Sequence, residues 1–104
     1  MHARNKILGV EHPYTILALE NLATTYGNLG NYAEAENLQK VVLARRNRQL
    51  GEQHPDTIRA MESLGTTYGN QRNYTEVEKL KVQVLNARNK LLAVENSTSH
   101  NILE

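Results

Sequence analysis

The apolar residues of this chain recur at intervals of three and four, the spacing that places side chains on one face of an α-helix. Two such stretches cover residues 13–29 and 55–71, and each begins with a proline, a residue that suits the first turn of a helix. Their apolar positions are Ile16, Leu19, Leu22, Ala23, Tyr26 and Ile58, Met61, Leu64, Gly65, Tyr68. The pattern predicts an amphipathic helix over each stretch, and the small residue at Ala23 or Gly65 predicts the close approach of a second helix.

Two further stretches, residues 32–50 and 74–92, have the same helical spacing. Their apolar positions are Ala35, Leu38, Val42, Leu43 and Val77, Leu80, Val84, Leu85. Just before the earlier stretch, Asn31 precedes Glu34 by three residues, which predicts an N-cap with a capping-box glutamate. Each of the first two stretches and the stretch that follows it in the chain thus form one helical hairpin, and the chain contains two hairpins.

The two hairpins are copies of one pattern. Residues 8–49 laid over 50–91 without a gap give 23 identities in 42 positions. A fixed period of this length indicates stacked hairpins rather than one closed core. The junction at residues 50–55 reads Leu-Gly-Glu-Gln-His-Pro, and its glycine and proline predict a helix stop followed by a helix start. A third copy at residues 92–97 reads Leu-Ala-Val-Glu-Asn-Ser and lacks both.

This period divides the chain into four segments. Residues 1–9 are predicted to be the end of a preceding repeat helix, residues 10–51 the first repeat and residues 52–93 the second. Residues 94–104 are predicted to be the degenerate start of a third repeat or a disordered tail. The predicted fold class is all-α, with two full repeats and partial pieces of repeats at both ends.

The composition argues against several classes of partner. The chain has 12 basic and 11 acidic residues, a formal charge of +1, so we expect neither nucleic acid nor a membrane surface as a partner. No apolar run approaches the roughly 20 residues of a membrane span. The N-terminal residues lack the apolar core of a signal peptide. Cysteine is absent, which suits a reducing compartment, and we expect a cytoplasmic location.

The hairpins resemble the tetratricopeptide repeat, whose first helix carries a large residue, a leucine, a small residue and a tyrosine at fixed spacing. This chain supplies that pattern as Leu19, Leu22, Ala23, Tyr26 and again as Met61, Leu64, Gly65, Tyr68. The second helices depart from the family pattern, because its aromatic position holds Gln39 and Lys81. The 42-residue period and the junction are similar to the kinesin-light-chain type of this repeat and to arrays in fungal and bacterial signalling proteins.

This resemblance implies a right-handed α-α superhelix that has no enzyme activity and needs no cofactor. In the family, the concave face is lined by the first helices and binds an extended peptide or a helix of a partner protein. The polar residues of the first helices that would line it here are Glu20, Asn21, Thr24, Asn28, Arg59, Glu62, Ser63, Thr66 and Asn70. The asparagines suit this role, because a carboxamide both donates to and accepts from a peptide backbone.

A second interpretation keeps the fold but makes the chain its own partner. Repeat arrays usually need about three units, and two repeats leave the outer sides of the first and last helices uncovered. The chain is then a self-associating structural module, a homo-oligomer joined end to end or by exchange of helices. Arg72 stands where the first repeat has Gly30. A left-handed turn there is strained by roughly 1–2 kcal/mol, and straightening would favour exchange.

Other candidate chemistry is weaker. His12 and His54 occupy equivalent junctions one repeat apart with no cysteine nearby, so we expect no metal site. The basic run Arg45, Arg46 and Arg48 lies near a predicted helix end, where cations complement the helix dipole. We interpret this run as a solvated helix end rather than a phosphate or nucleic-acid site.

Overall fold

The computed structural model describes residues 13–103, and the side chains of residues 14–93. It contains four α-helices: α1 (Pro13–Asn28), α2 (Tyr32–Leu50), α3 (Pro55–Asn70) and α4 (Tyr74–Leu103). Each helix packs on the next one in the chain, and short turns join them into two hairpins. The predicted all-α fold of helical hairpins is confirmed. The predicted helix fragment at residues 1–9 lies outside the described residues.

A Schellman turn centred on Gly30 joins α1 to α2. The Gly30 N–H donates to the carbonyl of Gly27 (3.0 Å), and the Asn31 N–H donates to the carbonyl of Tyr26 (2.8 Å). This closure places a left-handed residue at position 30, and Gly30 has a φ of +80°. The predicted capping box is wrong here, because the Asn31 side chain makes no capping hydrogen bond. Its ψ of 71° lies outside the extended region from which N-cap side chains reach the helix.

The turn between α3 and α4 has the same hydrogen bonds around a different central residue. The Arg72 N–H donates to Gly69 (3.0 Å), and the Asn73 N–H donates to Tyr68 (2.9 Å). Arg72 has a φ of +60°, the one positive φ outside glycine in the described part of the chain. The second turn therefore does require a left-handed residue, and the sequence supplies an arginine.

The junction between the hairpins is built as the sequence predicted. Gly51 ends α2 with φ of 91° and ψ of 159°, a backbone region that is essentially restricted to glycine. Pro55 occupies the first turn of α3. His54 is the N-cap residue, and its Nδ1 accepts a hydrogen bond from the Asp56 N–H at 3.0 Å. This histidine thus satisfies one of the amide groups that the first turn leaves without a partner.

The last helix is longer than the apolar pattern predicted. The predicted end lay near residue 92, but α4 continues to Leu103. Where the junction has Gly51 and Pro55, the third copy has Ala93 and Ser97. Neither residue forces a helix to end, and alanine favours helix. The decayed copy therefore does not act as a junction.

Two clusters of buried apolar side chains hold the helices together. Ile16, Val42 and Ala60 join α1, α2 and α3. The second cluster consists of Met61, Leu64, Tyr68 and Leu80. Leu43 packs against both clusters, so the core is continuous along the stack of helices.

Two positions that the pattern predicted to be buried are exposed. Leu22 is 44% exposed, whereas its counterpart Leu64 is 4% exposed and is packed near Leu43 of the preceding helix. Leu85 is 59% exposed, whereas its counterpart Leu43 is covered by α3. Neither Leu22 nor Leu85 has such a neighbouring helix among the described residues. Their exposure follows from their place at the two ends of the stack.

Candidate protein-binding groove

A groove opens between α1 and α3, with α2 supplying its third wall. Its volume is about 470 Å³. The residues that line it are Leu17, Glu20, Thr24, Gln39, Val42, Arg46, Asp56, Arg59, Ala60 and Ser63. We call this the first groove. It lies between two neighbouring first helices, where stacked repeats form their concave surface.

Arg46 organises the charges of the first groove. Its side chain is only 12% exposed, and its Nη2 donates to Oε1 of Glu20 at 2.9 Å. Its Nη1 lies 3.9 Å from Oδ2 of Asp56, which also pairs with Arg59. The groove therefore carries a row of alternating charges that runs from α1 through α2 to α3. Arg46 is not part of a solvated helix end, so that interpretation of the basic run is wrong for this residue.

Below this row, polar contacts fix α2 against α3. The Thr67 hydroxyl donates to Oε1 of Gln39 at 2.5 Å, and Nε2 of Gln71 donates to Oε1 of Glu36 at 3.0 Å. Lys40, one turn along α2, also pairs with Glu36 at 2.6 Å. The hydrogen bonds from Lys40 and then Gln71 lower the pKa of Glu36. These contacts orient the wall of the first groove that α3 provides.

A second groove lies one repeat further along, between α3 and α4, with a volume of about 570 Å³. The residues that line it are Met61, Glu62, Gly65, Thr66, Val77, Leu80, Lys81, Val84, Leu85 and Arg88. We call this the second groove. Arg88 pairs with Glu62 across it, in the same register as Arg46 and Glu20. No helix in the described part of the chain covers it in the way that α3 closes the first groove.

The nine residues predicted to face a partner fall into three groups. Glu20, Thr24, Arg59 and Ser63 line the first groove. Glu62 and Thr66 line the second groove. The remaining residues are Asn21, Asn28 and Asn70, which are exposed and line neither groove.

The sequence prediction missed several residues that line the first groove, on the first helices as well as on the second helix of the repeat. Gln39 and Arg46 reach the first groove from α2. A signal for Arg46 was present in the sequence, because the acid–base pairs Glu20–Arg46 and Glu62–Arg88 recur with the same separation of 26 residues. A repeated pair of opposite charges at a fixed offset indicates contact between two helices rather than a solvated helix end.

Two features are absent from the part of the chain that the structure describes. No three side chains of the metal-binding types come together there. His54 is used as a helix cap, and His12 lies outside the described residues. Of the helices in residues 13–103, none combines the length and apolar character needed to cross a bilayer.

The fold defines a class of protein, the helical-hairpin repeat, with grooves between its packed helices. The sequence profile of the tetratricopeptide repeat matches residues 15–90. The chain belongs to the tetratricopeptide repeat family, a family of non-catalytic repeats that generally mediate protein–protein interaction. Comparison with curated proteins gives no match.

Proposed function

We propose that this chain is a non-catalytic scaffold that binds a peptide or a helix of a partner protein in the first groove. The observation that carries the proposal is the convergence of Glu20, Thr24, Arg59 and Ser63 on one groove of about 470 Å³. These residues come from two first helices that lie 42 residues apart in register. A groove that combines apolar walls with a few fixed polar groups suits recognition of a short segment.

The charges of the first groove describe the partner that it fits. Arg59 is 71% exposed, so its guanidinium can contact a carboxylate of a ligand. Glu20 and Asp56 are each about one-third exposed and offer acceptors to a basic side chain or a backbone N–H. Leu17, which is 48% exposed, provides apolar contact beside them. We infer a partner segment with both acidic and basic residues around an apolar one.

The experiment screens a peptide library against the whole chain and then measures the affinity of a selected peptide for two variants. Ser63→Trp fills the first groove, whereas Asn28→Trp adds the same bulk at an exposed position that lines neither groove. We expect Ser63→Trp to weaken binding by at least about tenfold, a loss of roughly 1.4 kcal/mol, and Asn28→Trp to leave it unchanged. Equal affinities for both variants and the wild type would contradict this site.

We propose two finer assignments on the sequence alone. The 42-residue period and the Leu-Gly-x2-His-Pro junction support the kinesin-light-chain type of the repeat. The absence of cysteine and the balanced charge support a cytoplasmic location. Both assignments remain predictions.

Self-association is the second candidate function, favoured by a separate observation. Large apolar side chains are exposed at both ends of the stack, among them Leu17 and Leu22 on α1 and Leu85 on α4. Burying these surfaces between copies would stabilise a homo-oligomer. Copies can associate by exchange of helices through the strained turn at Arg72 or by direct stacking.

A further inference from the structure

The two grooves are the same structural position one repeat apart, but only the first has a helix seated against it. Ala60 of α3 is 4% exposed because it packs against Ile16 and Val42 of the first hairpin. Leu43 packs against this cluster as well. In the second groove, the counterpart of Leu43 is Leu85, whose side chain is left exposed. The second groove is therefore a docking position for a helix. We call this position the seat, and no helix among the described residues occupies it.

The described continuation of the chain does not return to this seat. In the 42-residue register, Ser97 is the counterpart of Pro55, the first residue of α3. Residues 97–103 are instead part of α4, which runs without a break from Tyr74 to Leu103. The segment that would begin the next first helix is thus the C-terminal part of α4 and continues along the α4 axis.

α1 has the surface that this seat requires. The counterpart of the buried Ala60 is Ala18, which is exposed on α1. Around it, Tyr14 stands in the place of Asp56 and Leu17 in the place of Arg59. Both are exposed. α1 is therefore apolar where α3 is charged, and the second groove is lined by the apolar Val84 and Leu85.

We propose that the second groove binds α1 of a second copy of this chain, in the position that α3 takes on the first groove. The proposal deepens the self-association candidate by naming its two surfaces. Ala18 of one copy would lie against Val84 and Leu85 of the other, as Ala60 lies against Val42 and Leu43. The interface joins two different surfaces, so each copy keeps one surface open and the stack can grow from both ends.

Two of the contacts that α2 makes with α3 within one copy would be replaced by contacts of a different kind between copies. Arg46 reaches Asp56 of α3, whereas its counterpart Arg88 would meet the ring of Tyr14, which attracts a cation over its face. Gln39 accepts from Thr67, whereas its counterpart Lys81 would donate to the hydroxyl of Thr25. The interface between copies is thus more apolar and less hydrogen-bonded than the one within a copy, and we expect it to be reversible.

The test blocks the two surfaces separately in the full chain and measures mass against concentration by sedimentation. Ala18→Glu places a charge at the centre of the α1 surface, and Leu85→Glu does the same in the second groove. Val82→Glu is the matched control, since Val82 is also exposed on α4 but lines neither groove. We expect the wild type and Val82→Glu to grow in mass with concentration, and Ala18→Glu and Leu85→Glu each to stay monomeric.

Mixing the two blocked variants gives the decisive result. Ala18→Glu retains an intact second groove and Leu85→Glu retains an intact α1 surface, so the mixture should form a dimer of one copy of each and nothing larger. Self-association of the wild type that neither substitution reduces would overturn this pair of surfaces while leaving the self-association candidate in place. A wild type that is monomeric at every soluble concentration would overturn both. Peptide binding in the first groove is measured independently of either result.

Discussion

Arg46 shows how one side chain connects three helices. It lies between Glu20 of α1 and Asp56 of α3, and little of it is exposed. Among the side chains that the structure describes, its counterpart Arg88 pairs with Glu62 alone and is 53% exposed. Removing one partner of a partly buried ion pair costs more stability than removing one partner of an exposed pair, which is screened by solvent. The two arginines thus form a natural comparison.

We predict that Arg46→Met lowers the free energy of unfolding by about 1–2 kcal/mol, because Glu20 loses its cation and Asp56 loses one of its two cations, while the aliphatic stem is preserved. Arg88→Met is the matched change in an exposed pair and should cost less than about 0.5 kcal/mol. Urea unfolding of both variants measures the difference. Equal losses of unfolding free energy in the two variants would contradict the prediction, because the additional contact of Arg46 with Asp56 would then contribute nothing.

Thr57 is a second informative residue, because it is fully buried and its hydroxyl has no hydrogen-bond partner among the described residues. Burying a hydroxyl without a partner is unfavourable. We predict that Thr57→Val, which keeps the shape, stabilises the fold by about 1 kcal/mol. Thr67→Val should do the opposite by a similar amount, because the Thr67 hydroxyl bonds Gln39. The midpoints of urea unfolding check both signs, and a loss of stability in Thr57→Val would contradict the assignment of an unsatisfied hydroxyl.

At the scale of the element, the two inter-helix turns show that the repeat requires a left-handed residue between its helices and that the second repeat has one with a side chain. Both close with the same pair of backbone hydrogen bonds, but one is centred on Gly30 and the other on Arg72. The left-handed conformation costs a residue with a Cβ roughly 1–2 kcal/mol. A Cβ placed on Gly30 would meet no atom within 4 Å, so the cost of a side chain there is in the backbone and not in a clash.

Because the two turns have the same backbone geometry, exchanging their central residues should change the free energy of unfolding in opposite directions. Arg72→Gly should raise the free energy of unfolding by about 1 kcal/mol, and Gly30→Arg should lower it by about the same amount. If copies exchange helices through this turn, Arg72→Gly should also raise the monomer fraction in light scattering. Unfolding measurements that give both substitutions the same sign would show that the two turns are not equivalent.

The elements themselves were largely predictable from the sequence. The helical spacing of apolar residues located all four helices, and the glycine and proline of the junction located the boundary between hairpins. The end of α4 was not predictable from periodicity, because Ala93 and Ser97 follow the register of the repeat without its stop and start signals. Composition at two positions, rather than the period, explains why that helix does not stop near residue 92.

The candidate site was predictable only in part. Four of the residues that the resemblance to the family implied, Glu20, Thr24, Arg59 and Ser63, line one groove, and their contact with a partner remains a prediction. Arg46 was misinterpreted, because a cation near a helix end serves the dipole and a charge pair equally well in sequence. The asparagines were chemically apt but lie outside both grooves, since the direction of a side chain depends on how the helices are stacked.

At the scale of the whole molecule, the two repeats place one groove inside the stack and one at its end. The inner groove has walls from three helices and a fixed row of charges, which makes it the better site for a foreign segment. The outer groove has walls from two helices and an exposed leucine, which makes it the better seat for another copy. Stacking of copies would extend the row of grooves, so the two proposed functions are compatible.

The central claim is that a partner segment binds in the first groove. The most direct measurement is the change in backbone amide NMR shifts when the wild-type chain is saturated with a peptide selected from a library. The account predicts that the largest changes fall on Thr24, Arg59 and Ser63 and that Asn28 and Asn70 are unaffected. Changes concentrated on Asn28 and Asn70, with the first groove silent, would contradict it.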